Sequence, residues 1–329
     1  MTSRLTAGIA VALVGVLASS RPAAAQYEVP RADSLLRAGQ LHRAEALYYA
    51  AARRRPRDPD ARFALGRYLA SRGALRVGAV LVEEAVRFGG APAHAAQVLG
   101  PIYSQLGEFG ALVRLPQARF APGELSRARA LHENPPTTGG PDSARIPLLP
   151  NTVGSSFGAV RLIVGGDTVL ADIDPTVEGV VLDRQHIRTV GVRSFDAGAG
   201  SRQPGIVGRA TLGPYVLRNL PVTLTDLGGA GRARVGLDWL ARWAPTIDRG
   251  FTRTLTLRRS GRVPPGVVTV RTARIPYVHG LPMTNGDLMP GPWIIVPGGI
   301  ARLDAAEVGR LRTGRVTLDS RRGELLVDR

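Results

Sequence analysis

The chain has 329 residues, 43 basic against 26 acidic side chains for a formal net charge of +17, a hydrophobic share of 44% and no cysteine. That hydrophobic share supports a sizeable core, and the absent thiols exclude a disulfide framework, a zinc–thiolate site and a cysteine nucleophile. Every basic residue is an arginine, and the arginines are scattered without interleaved aromatics; the charge reads as solvated surface, and no nucleic-acid partner is expected.

The first 25 residues, MTSRLTAGIAVALVGVLASSRPAAA, combine Arg4, an apolar run from Leu5 to Ala18 and the small-residue site Ala23-Ala24-Ala25. The run falls short of the ~20 apolar residues that a membrane span needs. It reads as a secretory signal (1–25), which implies an exported chain, periplasmic or extracellular, without stable membrane insertion once the signal is removed.

Residues 26–133 repeat with a period of 34. Gly39, Gly73 and Gly107 keep that step, as do Ala44 and Gly78, Ala51 and Ala85, Leu65 and Leu99, and Gly66 and Gly100. Small residues at a fixed helical period imply paired helices in close stacking. The segments GQLHRAEALYYAAARRRP, ARFALGRYLASRG and AAQVLGPIYSQLG resemble tetratricopeptide repeats, whose arrays form concave docking surfaces; the helices can equally serve only to brace the next domain. Residues 134–151 are rich in proline and glycine, which disfavour helix and favour an extended path.

From residue 152 the period changes to two. GAVRLIVGG, DTVLADID, VEGVVLD, GIVGRATLG, LPVTLTDL and RTLTLRRSG are short β-branched runs between turn residues, and VGLDWLARW and LDAAEVGRL are the best helical patterns. The expected fold class is thus α+β multidomain: helical repeats, then a mostly antiparallel β region over 152–260, with 261–329 as a β-rich candidate second lobe.

Within the β region, FGAVRLIVGGDTVLADIDPTVEGVVL resembles the strand, hairpin and active-site strand of bacterial retropepsin-like aspartic proteases. ATLGPYVLRNLPVTLTDL and VGLDWLARWAPTIDRGFTRTLTLRR are similar to that family's later segments, so the likeness covers roughly 152–259. It implies Asp174 as the catalytic residue. Such enzymes use two carboxylates about 3 Å apart that share one proton, each on a tight Asp-Thr-Gly loop. Here the loop reads Asp174-Pro175-Thr176: proline lacks the hydroxyl and the backbone N–H, and a β-branched residue replaces glycine. A faint second copy, PGPWIIVPGGIARLDAAEV, carries Pro297-Gly298-Gly299 and no aspartate, which makes 261–329 a degenerate second half. The pair would then have to come from two copies of Asp174 in a homodimer.

Other signals are weaker. Asp172, Asp174 and Glu178 lie close in sequence, yet no further ligand completes a metal site, and no metal or cofactor is expected. Gly154-Ser155-Ser156-Phe157-Gly158 matches a nucleophile elbow in form only, since no helix comes after it. His42, His94, His132, His186 and His279 lack metal-ligand spacing, and His186 and His279 read as structural or exposed. Trp239 and Trp243 read as core, as does Trp293 with a cleft role as its alternative. Three functions stay open: a catalytically degenerate protease-like protein that binds a peptide or protein ligand, an active aspartic endopeptidase, and a repeat-based interaction protein.

Overall fold

A computed structural model describes residues 28–116, 120–150, 157–185, 191–196, 202–228, 232–250, 252–267, 272–282, 288–296, 299–303 and 314–328. The signal segment, the serines of the elbow-like motif, His186 and the Pro297-Gly298 pair lie outside the described residues. The fold is α+β: a helical region followed by a β-rich, mostly antiparallel one.

The 34-residue period builds helical hairpins. α1 (Glu28–Arg37) turns at Gly39 into α2 (Leu41–Arg54), α3 (Pro59–Ser71) turns at Gly73 into α4 (Leu75–Arg87), and α5 (Pro92–Leu106) turns at Gly107 into α6 (Phe109–Val113). The three glycines hold φ of 75°, 87° and 73°, the left-handed region where a Cβ is costly. Pro59 opens α3 behind Asp58, whose carboxylate accepts from the amides of Asp60 at 2.9 Å and Ala61 at 3.3 Å, a standard N-terminal cap. α3 and α4 approach so closely at Gly66 and Gly78 that a Cβ on Gly66 would sit 2.9 Å from the Gly78 carbonyl oxygen. α7 (Pro122–Glu133) ends the helical region.

Among the described residues the β strands form two 8-stranded sheets. The first contains β1 (Thr137–Gly139), β3 (Ala159–Val164), β4 (Asp167–Ile173), β5 (Val180–Asp183), β6 (Val192–Ser194), β7 (Gln203–Leu212), β8 (Tyr215–Thr225) and β9 (Arg232–Val235). Its order is β1-β8-β5-β9-β4-β3-β7-β6, so β9 runs between β4 and β5, parallel to the former and antiparallel to the latter. The second contains β2 (Ser143–Pro147), β10 (Thr246–Asp248), β11 (Thr254–Arg258), β12 (Thr272–Pro282), β13 (Leu288–Val296), β14 (Gly299–Arg302), β15 (Arg315–Asp319) and β16 (Glu324–Asp328). α8 (Leu237–Leu240) joins the two.

Two details differ from the sequence reading. β10 and β11, taken there as the close of the first β region, pair with β15 and β2 and belong to the second sheet. The chain changes sheet at Ala244, whose φ of 41° turns it sharply. The faint second copy of the aspartate motif also differs from the first. β13 and β14 pair directly, Val296 opposite Gly299, as a plain hairpin with no strand between them. The strands beside Asp174 are instead held apart by β9.

The extended 134–151 segment stitches the sheets together: β1 edges the first through β8, and β2 edges the second through β11. One apolar core spans both sheets, from Phe157 and Val160 to Leu325 and Val327. Trp239 and Trp243 meet edge to face in it with centroids 4.6 Å apart, and the Tyr215 hydroxyl donates to the Leu257 carbonyl across the sheets at 3.1 Å. Trp293 packs against the helical core around Leu36, Tyr48 and Tyr68. The helices are docked as well. The Arg72 guanidinium donates to the carbonyls of Tyr277, Gly323 and Arg322, and Arg127 donates to that of Val222 at 2.9 Å.

Candidate functional site

The turn after β4 begins at Asp174. Because β9 lies between β4 and β5, the turn must straddle the C-terminal end of β9, and it is pinned there on both sides. The Asp174 amide donates to the Val235 carbonyl at 3.0 Å, and the Gly236 amide donates to the Gly179 carbonyl at 2.7 Å. Gly236 is required for this approach: a Cβ there would lie 2.4 Å from the Val177 carbonyl oxygen. Asp238, in the first turn of α8, receives the Gly179 amide on both carboxylate oxygens at 3.0 Å.

The Asp174 side chain is fully buried, at 0% exposure. One oxygen accepts from the amide and the hydroxyl of Thr176, at 2.8 and 2.6 Å. The other faces the Arg234 guanidinium at 3.4 Å. The hydroxyl absent at Pro175 is therefore supplied one residue later, and it is turned onto Asp174 itself. Arg234 sits on β9 directly opposite Asp172 of β4, which is also buried.

Asp248 has the same kind of surroundings on another turn, the one between β10 and β11. It accepts from the Gly250 amide at 2.9 Å and the Thr252 hydroxyl at 2.7 Å, with Arg315 at 3.8 Å. Buried Asp183 likewise accepts the Gln185 and Leu227 amides, each at 2.8 Å. In all three places the carboxylate replaces backbone acceptors that a tight turn cannot offer its own amides.

The acidic trio of the sequence does not converge. Asp172 and Asp174 are buried beside Arg234, whereas Glu178 is 64% exposed and pairs with His279 of β12 at 3.6 Å. Among the described residues no group of three or more His, Cys, Asp or Glu side chains is placed to hold a metal ion. Glu178 is held below its ordinary value by the hydrogen bond from His279, against desolvation and with help from the charges of His279 and Arg202. His279 is raised: desolvation disfavours its charged form, but Glu178 and the Asp238 charge outweigh that. Asp238 is raised by desolvation.

The outer side of the turn does not face solvent alone. Pro175 and Val177 line a cavity of about 240 Å³ whose other walls include Leu75 and Leu106 of the helical region and His279 of the second sheet. Sequence reasoning singled out Asp174 and Glu178 and quoted Asp238 only as part of a segment. It passed over Arg234 and treated His279 as isolated. Arg234 falls in an ordinary RAR string, and His279 lies about a hundred residues from Glu178, so neither carries a local signal.

No family model matches this chain, and no curated protein matches it. Among solved structures it is similar to a retropepsin-like aspartic protease from Rickettsia conorii, at 16% identity and a TM-score of 0.26, over 37% of this chain and 93% of that one. The fold described above rests on strand order and pairing, not on that likeness.

Proposed function

We propose that this is an exported, aspartic-protease-like protein in which the Asp174 turn has become structural, and which acts by binding a peptide or protein ligand. The observation that carries the reading is the occupied, buried carboxylate of Asp174. Peptide hydrolysis of the aspartic type needs a carboxylate pair open to water and substrate, one acting as base and one as acid. Asp174 meets Thr176 and Arg234 instead, as Asp248 meets Thr252 and Arg315. A second copy of Asp174 from a dimer partner would have to displace the helices that share the cavity with Pro175 and Val177. The 34-residue helical hairpins support tetratricopeptide-type repeats as the docking element. The N-terminal segment supports export to a periplasm or beyond.

The test is incubation of the mature chain with a mixed peptide library from pH 3 to 7, beside Asp174→Asn. We expect no cleavage by either protein, with both folded by circular dichroism. Cleavage by the natural chain that is absent in Asp174→Asn would establish the active peptidase instead.

A further inference from the structure

The cavity at the seam between helices and sheets has a use that the Asp174 turn alone does not explain. Its volume of about 240 Å³ exceeds the roughly 150 Å³ that suffices for a benzene ring in an apolar protein interior. Its walls are mostly carbon, with Leu75, Leu106, Val177, Leu237 and Leu325 among them. A few polar groups converge on it: Asp238, Arg242, Tyr277 and His279. Burial raises Asp238 and Tyr277, and desolvation lowers Arg242. An apolar pocket with a few convergent, shifted polar groups is the usual form of a small-molecule site.

The polar groups also define the ligand. A carboxylate can accept up to about four hydrogen bonds. The two oxygens of Asp238 share the single Gly179 amide at 3.0 Å, with the Trp239 amide as a further donor. Room for another donor remains, and such a donor would offset the desolvation of the carboxylate. Charge selects against an ionic ligand. An ammonium beside Asp238 would also meet Arg242 and His279, and a carboxylate beside those two cations would also meet Asp238.

We propose that this cavity binds a compact, uncharged, apolar ligand with one hydrogen-bond donor, of the indole or phenol class, held by Asp238 against the carbon walls shared by the Asp174 turn and the helical hairpins. The site does not depend on whether Asp174 is silent in catalysis.

The test is calorimetric titration of the mature full-length chain with 3-methylindole and with 1-methylindole, which matches it in size but lacks the N–H. We expect saturable binding of 3-methylindole and affinity lower by about fivefold or more for 1-methylindole, the loss of one hydrogen bond. Ala241→Phe, which fills the cavity from α8's end, should abolish 3-methylindole binding. No saturable binding, equal affinity for the two isomers, or full binding by a folded Ala241→Phe would each overturn the proposal. If Ala241→Phe does not fold, the comparison of isomers on the natural chain decides alone. Because Asp174→Asn is the variant that reports on peptidase chemistry, failure here is separable from failure of the reading above.

Discussion

At Asp174 the question of catalysis reduces to what the carboxylate touches. Its oxygens are committed to Thr176 and Arg234, so removing the cation should cost stability. Arg234→Ala leaves a buried charge with one partner fewer, and we expect a loss of about 2–3 kcal/mol in chemical denaturation. A loss no larger than a surface substitution gives would mean that the ion pair does not hold the turn. The neighbouring Glu178–His279 pair makes a smaller, pH-dependent contribution. His279, raised above its usual 6.5, contributes fully below that value, and the contribution disappears as pH rises through its raised one. Glu178, lowered from 4.5, contributes above that value and loses its contribution as pH falls through its lowered one. The stability difference between the natural chain and Glu178→Gln should therefore peak between about pH 4.5 and 6.5 and fall away as pH rises above that window. With Glu178 64% exposed, it should stay within about 0.5 kcal/mol. A difference that is flat from pH 5 to 9 would rule out an ionic origin.

At the scale of elements, the helical turns give a paired test. Gly107→Ala meets open space at φ of 73°, so only backbone strain is added, about 1 kcal/mol. Gly73→Ala has the same strain and would also place its Cβ 2.1 Å from the Ser320 carbonyl oxygen of the β15–β16 turn. We expect about 3 kcal/mol or more from the added collision; thermal melts of the two variants side by side check the ordering. The helical hairpins were legible in the sequence because a repeat displays its period several times, and a glycine needing positive φ marks each turn. The β3–β4 hairpin was legible as well, since alternating apolar residues flank Gly165-Gly166, whose φ of 59° and 102° suit the twist of a two-residue turn. The assignment of β10 and β11 to the second sheet was not legible. Their alternation fixes which face is buried, but pairing partners that lie about seventy residues away for β10 and over a hundred for β11 leave no local trace. The same limit hid Arg234, whose partner is fixed by the path of β9 and not by neighbours in sequence.

For the whole molecule, the helices and sheets are joined by side chains that reach backbone acceptors. Arg72 alone serves three carbonyls on two elements of the second sheet. Arg72→Ala should cost about 2 kcal/mol and should raise hydrogen exchange at the β15–β16 turn and in β12 before it does so in the first sheet. Equal acceleration everywhere would argue against a local seam. The placement of β9 has a consequence of another kind. β4 and β5 flank the turn but do not pair with each other, and the strand that joins them is synthesised only after the long β7–β8 hairpin. Until residues 232–235 leave the ribosome, both strands present unpaired edges, and the turn at Asp174 has nothing to close upon. A nascent chain halted before β9 would therefore carry a sticky, half-built sheet.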